Sequence, residues 1–178
     1  MSSYLLSSKM DSNNFAQDLF IKLTNKETPV FLCIGSSRCV GDCLGPIVGE
    51  LLTKKYNVNT TVYDNLDNNI TSKNIDNYVS FIRREHPISP IIIVDSAVGS
   101  EDEIGLVKFS QGGIIPAGYT KERKQILGDF GITSIVNTVG INQLLFLKGT
   151  TLKIIWKLGS FIAESINKFM VKKTNFSF

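Results

Sequence analysis

Four consecutive β-branched residues, Ile91-Ile92-Ile93-Val94, stand between Pro90 and Asp95. A run this short, apolar at every position and fenced by Pro87 and Pro90, reads as a strand buried on both faces. Strands of that kind lie in parallel sheets, whose crossover connections leave helices packed on each side. The preceding sequence supplies such crossovers. A strand at 29 to 34 leads into a helix at about 44 to 56, where Leu44, Ile47, Val48, Leu51 and Leu52 recur at helical spacing. Pro46 stands near its start, where a missing N–H costs nothing. A second strand is predicted at 59 to 63 from Thr60, Thr61, Val62 and Tyr63. A helix from about 72 to 85 follows, with Thr71 as its cap, Ile70 stapled onto Ile75, and Ile75, Tyr78, Val79 and Ile82 on one apolar face. Beyond Asp95 come strands at 104 to 109 and 132 to 137, then a helix with Leu152, Ile155, Trp156, Gly159, Ile162, Ala163, Ile166 and Met170 facing the core. The class is α/β, a three-layer sandwich around a mainly parallel sheet.

With 178 residues, 43% of them hydrophobic, the chain suits one domain. That domain is placed at 29 to 171. Residues 1 to 28 precede it as a flexible tail, to about 11, and a short amphipathic helix at 14 to 23; residues 172 to 178 follow as a second tail. A formal net charge of +3 leaves no broad basic footprint, so no nucleic-acid partner is expected. The apolar C-terminal helix is interrupted by Lys153, Lys157, Glu164 and Lys168, and no signal-peptide core opens the chain, so no membrane partner is expected either. Cys33, Cys39 and Cys43 are odd in number and suit reduced thiols. The expectation is a soluble cytoplasmic protein, with the oligomeric state, including a homo-oligomer, left open.

Chemistry concentrates at two acids. Asp42 lies in the loop GSSRCVGDCLGP (35 to 46) after the first strand, and Asp95 directly ends the run 91 to 94. In an open parallel sheet the carboxyl ends of neighbouring strands share one crevice, so both carboxyls can meet there. Two close carboxylates share a proton, which supplies an acid and a base in a single site. Taken singly, Asp42 also reads as a helix N-cap. A phosphate loop fits poorly: Gly35, Gly41 and Gly45 lack the GxGxxG spacing, and Asp42 places negative charge where phosphate would sit. A closed zinc site wants four ligands, and three cysteines with a single histidine, His86, supply them badly. Cys43 as nucleophile would lie near a helix start but beside Asp42, without an evident histidine base.

The segments GSSRCVGDCLGP (35 to 46), IIIVDSAVG (91 to 99), GGIIPAG (112 to 118) and GDFGITSIVN (128 to 137) together resemble the YyaC family of sporulation proteins. That family is related to the germination protease GPR of spore-forming Firmicutes and, more distantly, to hydrogenase-maturation endopeptidases. The resemblance implies a phosphorylase/hydrolase-like fold and an endopeptidase with an aspartate dyad, Asp42 and Asp95. It further implies a protein or peptide substrate, small acid-soluble spore proteins being the suggested class, in the cytoplasm of the sporulating cell or forespore. Substrate-binding positions are Gly35, Ser36, Arg38 and Gly41 in the first loop, Ser96 and Gly99 after Asp95, and Gly113, Pro116 and Gly118 in the third segment. Backbone N–H groups near Gly41 or Gly99 would serve an oxyanion. The maturation endopeptidases grip nickel through a histidine with their acids; no histidine stands in a matching place, so no metal and no cofactor are expected. Ser37 replaces an aspartate typical of the family's first motif. Because germination protease is made as a zymogen, residues 1 to 28 become a candidate inhibitory segment. The alternative is a non-catalytic sporulation binding or regulatory protein that keeps the hydrolase-like fold.

Overall fold

In the computed structural model, which describes residues 2 to 5, 12 to 116, 125 to 138 and 150 to 175, ten strands and α-helices lie among the described residues. In order they are β1 (Ser2–Leu5), α1 (Ser12–Leu23), β2 (Val30–Cys33), α2 (Leu44–Glu50), β3 (Val62–Tyr63), α3 (Ile75–Glu85), β4 (Ile91–Gly99), β5 (Leu106–Gln111), β6 (Phe130–Thr138) and α4 (Leu152–Asn175). Helix α2 runs on through a π-helical turn, Leu51–Lys55. The strands form one sheet in the order β1-β5-β6-β4-β2-β3. Strands β3, β2, β4 and β6 are parallel, while β5 and β1 add an antiparallel edge. The expected α/β sandwich, with helices on both faces of a mainly parallel sheet, is the observed one.

The two-residue period of β4 divides the core. Ile92 and Val94 join a cluster with Phe15, Leu44, Val48 and Ile162 from α1, α2 and α4, while Ile91 and Ile93 pack with Ile75 and Ile82 of α3 on the other face. That is why the run 91 to 94 is apolar at every position.

Several boundaries differ from the sequence expectations. Strand β4 continues to Gly99, because β6 pairs with it from Ile92↔Phe130 to Gly99↔Thr138 across an irregularity between Ala97 and Val98. Asp95 therefore sits within the strand. Strand β3 is only two residues long, since the Thr60 N–H turns back to the Val58 carbonyl and its hydroxyl to the Pro29 carbonyl. Helix α3 begins at Ile75 with Asn74 as its cap residue. Thr71 does not cap it: the Thr71 N–H donates to Asn74 Oδ1, a local turn that competes with helix.

Two described stretches of the expected N-terminal segment, Ser2–Leu5 and Ser12–Leu23, pack onto the domain. Residues Ser2 to Leu5 pair with β5, from Ser2↔Phe109 to Leu5↔Leu106. Phe15, Leu19 and Leu23 of α1 are fully buried, and Phe15 stacks on Phe161 of α4 at 5.7 Å between ring centroids. Helix α4 continues past residue 171 to Asn175, where buried Lys173 donates to the carbonyls of Leu23 (3.0 Å) and Lys26 (2.7 Å) at the end of α1.

Candidate active site

The parallel strands β3 and β2 end beside Val94 of the longer β4, and the residues that follow them build one cleft with Asp95. After β2 the backbone turns sharply at Gly35, whose φ is +147°. A Cβ there would lie 2.0 Å from the Asp42 carbonyl oxygen, which instead accepts the Ser36 N–H at 2.8 Å. Only glycine permits this closure. It folds residues 35 to 43 back on themselves and delivers Asp42 at the end of a 3-10 turn, Val40–Asp42.

Asp42 and Asp95 meet in a cavity of about 80 Å³ lined also by Ile34, Gly35, Thr71, Ser72 and Pro116. Through Thr71 and Ser72 it adjoins a groove of about 560 Å³, walled by Ser36, Ser37, Arg38, Asp67, Asn69 and Lys73. The groove joins two loops: Asn69 Oδ1 accepts both the backbone N–H and the hydroxyl of Ser37 at 2.8 Å, and the Ile70 carbonyl accepts the Gly35 N–H at 2.8 Å.

Asp95 is buried, 6% exposed. Asp42 is half-buried, and the N-cap of α2 is Cys43, so the N-cap reading is not the observed one. Its ionisation is shifted as well. Burial pushes the Asp42 carboxyl up to about 6. Cys43 is buried, and desolvation followed by the charges of Asp42 and Asp64 raises its thiol further from ionisation, which speaks against a nucleophile there. Cys33, Cys39 and Cys43 are all free thiols.

Of the predicted substrate-binding residues, Gly35 and Pro116 line the acid cavity, and Ser36 and Arg38 the groove. Gly41 is buried inside the 3-10 turn. Ser96, next to Asp95 in an extended strand, points to the opposite face and pairs across to Ser134. Gly99 packs against Glu103, and Gly113 against the Leu127 carbonyl; neither lines the cavity. Gly118 lies outside the described residues. The sequence reading missed Asp64, directly after β3. It is 8% exposed, its Oδ2 accepts the Ile70 N–H at 2.7 Å, and its Oδ1 is buried without a hydrogen-bond partner. Burial first, with the Asp42 charge adding, pushes it up to about 8 against hydrogen bonds that favour the ionised form. The available signal was Val62-Tyr63-Asp64, a strand-end acid of the same kind as Val94-Asp95.

Among the described residues, no group of three or more His, Cys, Asp or Glu side chains is placed to hold a metal ion. No helix among them is long and apolar enough to cross a membrane.

Residues 4 to 165 match the profile of DUF1256, a protein family described as of unknown function. The chain belongs to the DUF1256 family. It is 30% identical over 139 residues to the uncharacterized protein YyaC of Bacillus subtilis, covering 78% of this chain and 67% of that one. Its fold is similar to that of a [NiFe] hydrogenase maturation protease, HycI, from Thermococcus kodakarensis, with a TM-score of 0.56 and 17% identity over 87% of this chain and 97% of that one. At that identity the likeness is one of fold, and the DUF1256 chain is built on a protease-like sandwich.

Proposed function

We propose that this protein is an endopeptidase in which Asp42 and Asp95 hold a water between them. The convergence of the two carboxyls in one small cavity beside a longer groove carries the reading. A cavity of about 80 Å³ accommodates a water or two and a scissile carbonyl, given that liquid water occupies roughly 30 Å³ per molecule. Above pH about 6 Asp42 is the ionised member and takes the proton of the attacking water. Asp95, sharing the proton of the pair, hydrogen-bonds the carbonyl oxygen and protonates the leaving amine. Thr71 and Ser72 border both cavity and groove, where an extended peptide would cross from one to the other. The open groove favours a peptide over a small molecule, which a closed pocket would suit better.

The relation to germination protease, a role in sporulation, and small acid-soluble spore proteins as substrates belong to the same proposal and rest on the sequence motifs. The experiment is mass-spectrometric analysis of those proteins after incubation with wild type, Asp42→Asn and Asp95→Asn between pH 5 and 8. Defined cuts by wild type, a fall of at least roughly 10²-fold in each variant, and a wild-type rate that declines as pH drops through about 6 are expected. Equal rates in wild type and Asp95→Asn would reject the dyad. No cleavage by any form would favour the binding-protein alternative.

A further inference from the structure

Asp64 occupies a costly position. Its φ is +81°, a conformation uncommon outside glycine, and a buried carboxyl oxygen without a partner is expensive. Helix α2 makes room for it: a Cβ on Gly49 would lie 2.1 Å from the Asp64 carbonyl oxygen. Strain of this sort persists where the surrounding structure and its use demand it. The segment that begins at Asp64 is the wall of the cleft. Its carboxylate holds the Ile70 N–H, the Ile70 carbonyl holds the Gly35 N–H, and Asn69 holds Ser37. Thr71 and Ser72, the next two residues, line the cavity of Asp42 and Asp95, whereas Asp64 is not among its lining residues.

We propose that Asp64 is a positioning residue of the acid cleft, fixing residues 65 to 72 against the Asp42 loop and meeting the charge of Asp42 when it ionises in its turn. The titratable groups coupled to Asp64 are Asp42 from the 3-10 turn, Cys33 from β2 and Cys43 at the start of α2; no cation among the described residues figures among the charges acting on it. Between pH 6 and 8 Asp42 is ionised while Asp64 keeps its proton, so the wall carries one negative charge instead of two. Above pH about 8 the second charge appears beside the first. The catalytic consequence rests on the peptidase reading; the coupling of the two acids does not.

The test follows the carboxyl carbons of labelled aspartates by NMR against pH in the full-length wild type, Asp64→Asn and Asp42→Asn. Asp64 is expected to titrate near pH 8, and its midpoint to move down in Asp42→Asn, as coupled sites do. An Asp64 that titrates in the ordinary carboxylate range, or whose midpoint ignores Asp42→Asn, overturns the proposal. These readings need no folded Asp64 variant. With cleavage as readout, the wild-type rate is expected to decline above pH about 8. Asp64→Asn, which stays neutral, retains several-fold more of its optimal rate at pH 9. A variant slowed equally at every pH would mark Asp64 as merely structural and overturn the electrostatic role. If wild type cleaves nothing, the peptidase reading falls while the titration still decides Asp64.

Discussion

Gly35 carries the tightest constraint on the cleft. A side chain there would have both an unfavourable φ and a 2.0 Å encounter with the Asp42 carbonyl, neither of which a flexible neighbour can relieve. Gly35→Ala is therefore expected to cost about 2 kcal/mol or more in urea unfolding and to displace Asp42 enough to abolish cleavage. An unchanged midpoint would mean that the 3-10 turn is softer than its geometry requires. Legibility at this scale follows the strands. Asp42 and Asp95 could be picked out because each follows an apolar run, and a strand end is where such sheets bind ligands. Asp64 follows Thr60-Thr61-Val62-Tyr63 within a polar stretch, so the same strand-end signal was too weak to raise it above a loop acid.

Helix α1 and strand β1 were the elements least legible from sequence. β1 is four residues long and gains its stability by pairing with β5 about a hundred residues away, a contact that local periodicity does not report. The amphipathic face of α1 was visible, but its partner was not: Phe15, Leu19 and Leu23 are buried in the cluster shared with α4. This packing bears on the inhibitory-segment idea. Removing residues 1 to 28 would strip three fully buried side chains worth roughly 1.5–3 kcal/mol each, against a total stability of roughly 5–15 kcal/mol for a typical domain. It would also remove the Leu23 and Lys26 carbonyls to which the buried Lys173 ammonium donates. The truncated chain is expected to lose its cooperative thermal transition and all activity. A folded, more active truncation, read by circular dichroism alongside cleavage, would restore the removable-segment view. Helix α4, and α2 together with its π-helical continuation, were located well because burial on one face fixes their pattern.

At the scale of the molecule the topology explains why the acids converge. From β2 the chain crosses over α2 to β3 on one side, then over α3 to β4 on the other, so the strand order reverses direction about β2. Such a switch point opens a crevice at the carboxyl ends of the strands, where connections leave in opposite directions. The loop after β2 and the later part of β4 border it, and the loop after β3 closes the side. The geometry also sets the size of what can bind: the acid cavity holds little more than the reacting groups, while the adjoining groove offers about 560 Å³. On the peptidase reading, binding energy must then come mostly from residues flanking the scissile bond, and remote contacts of that kind raise kcat/KM with substrate length. A series of peptides from two to ten residues is expected to show a steep rise in kcat/KM until the groove is filled. Arg38→Ala, which removes an exposed groove cation away from the acids, is expected to raise KM several-fold with kcat nearly unchanged, because it weakens ground and transition states alike. Small esters hydrolysed as efficiently as the longest peptide, or a kcat that collapses in Arg38→Ala, would move the substrate out of the groove and leave the acid cavity serving a small molecule.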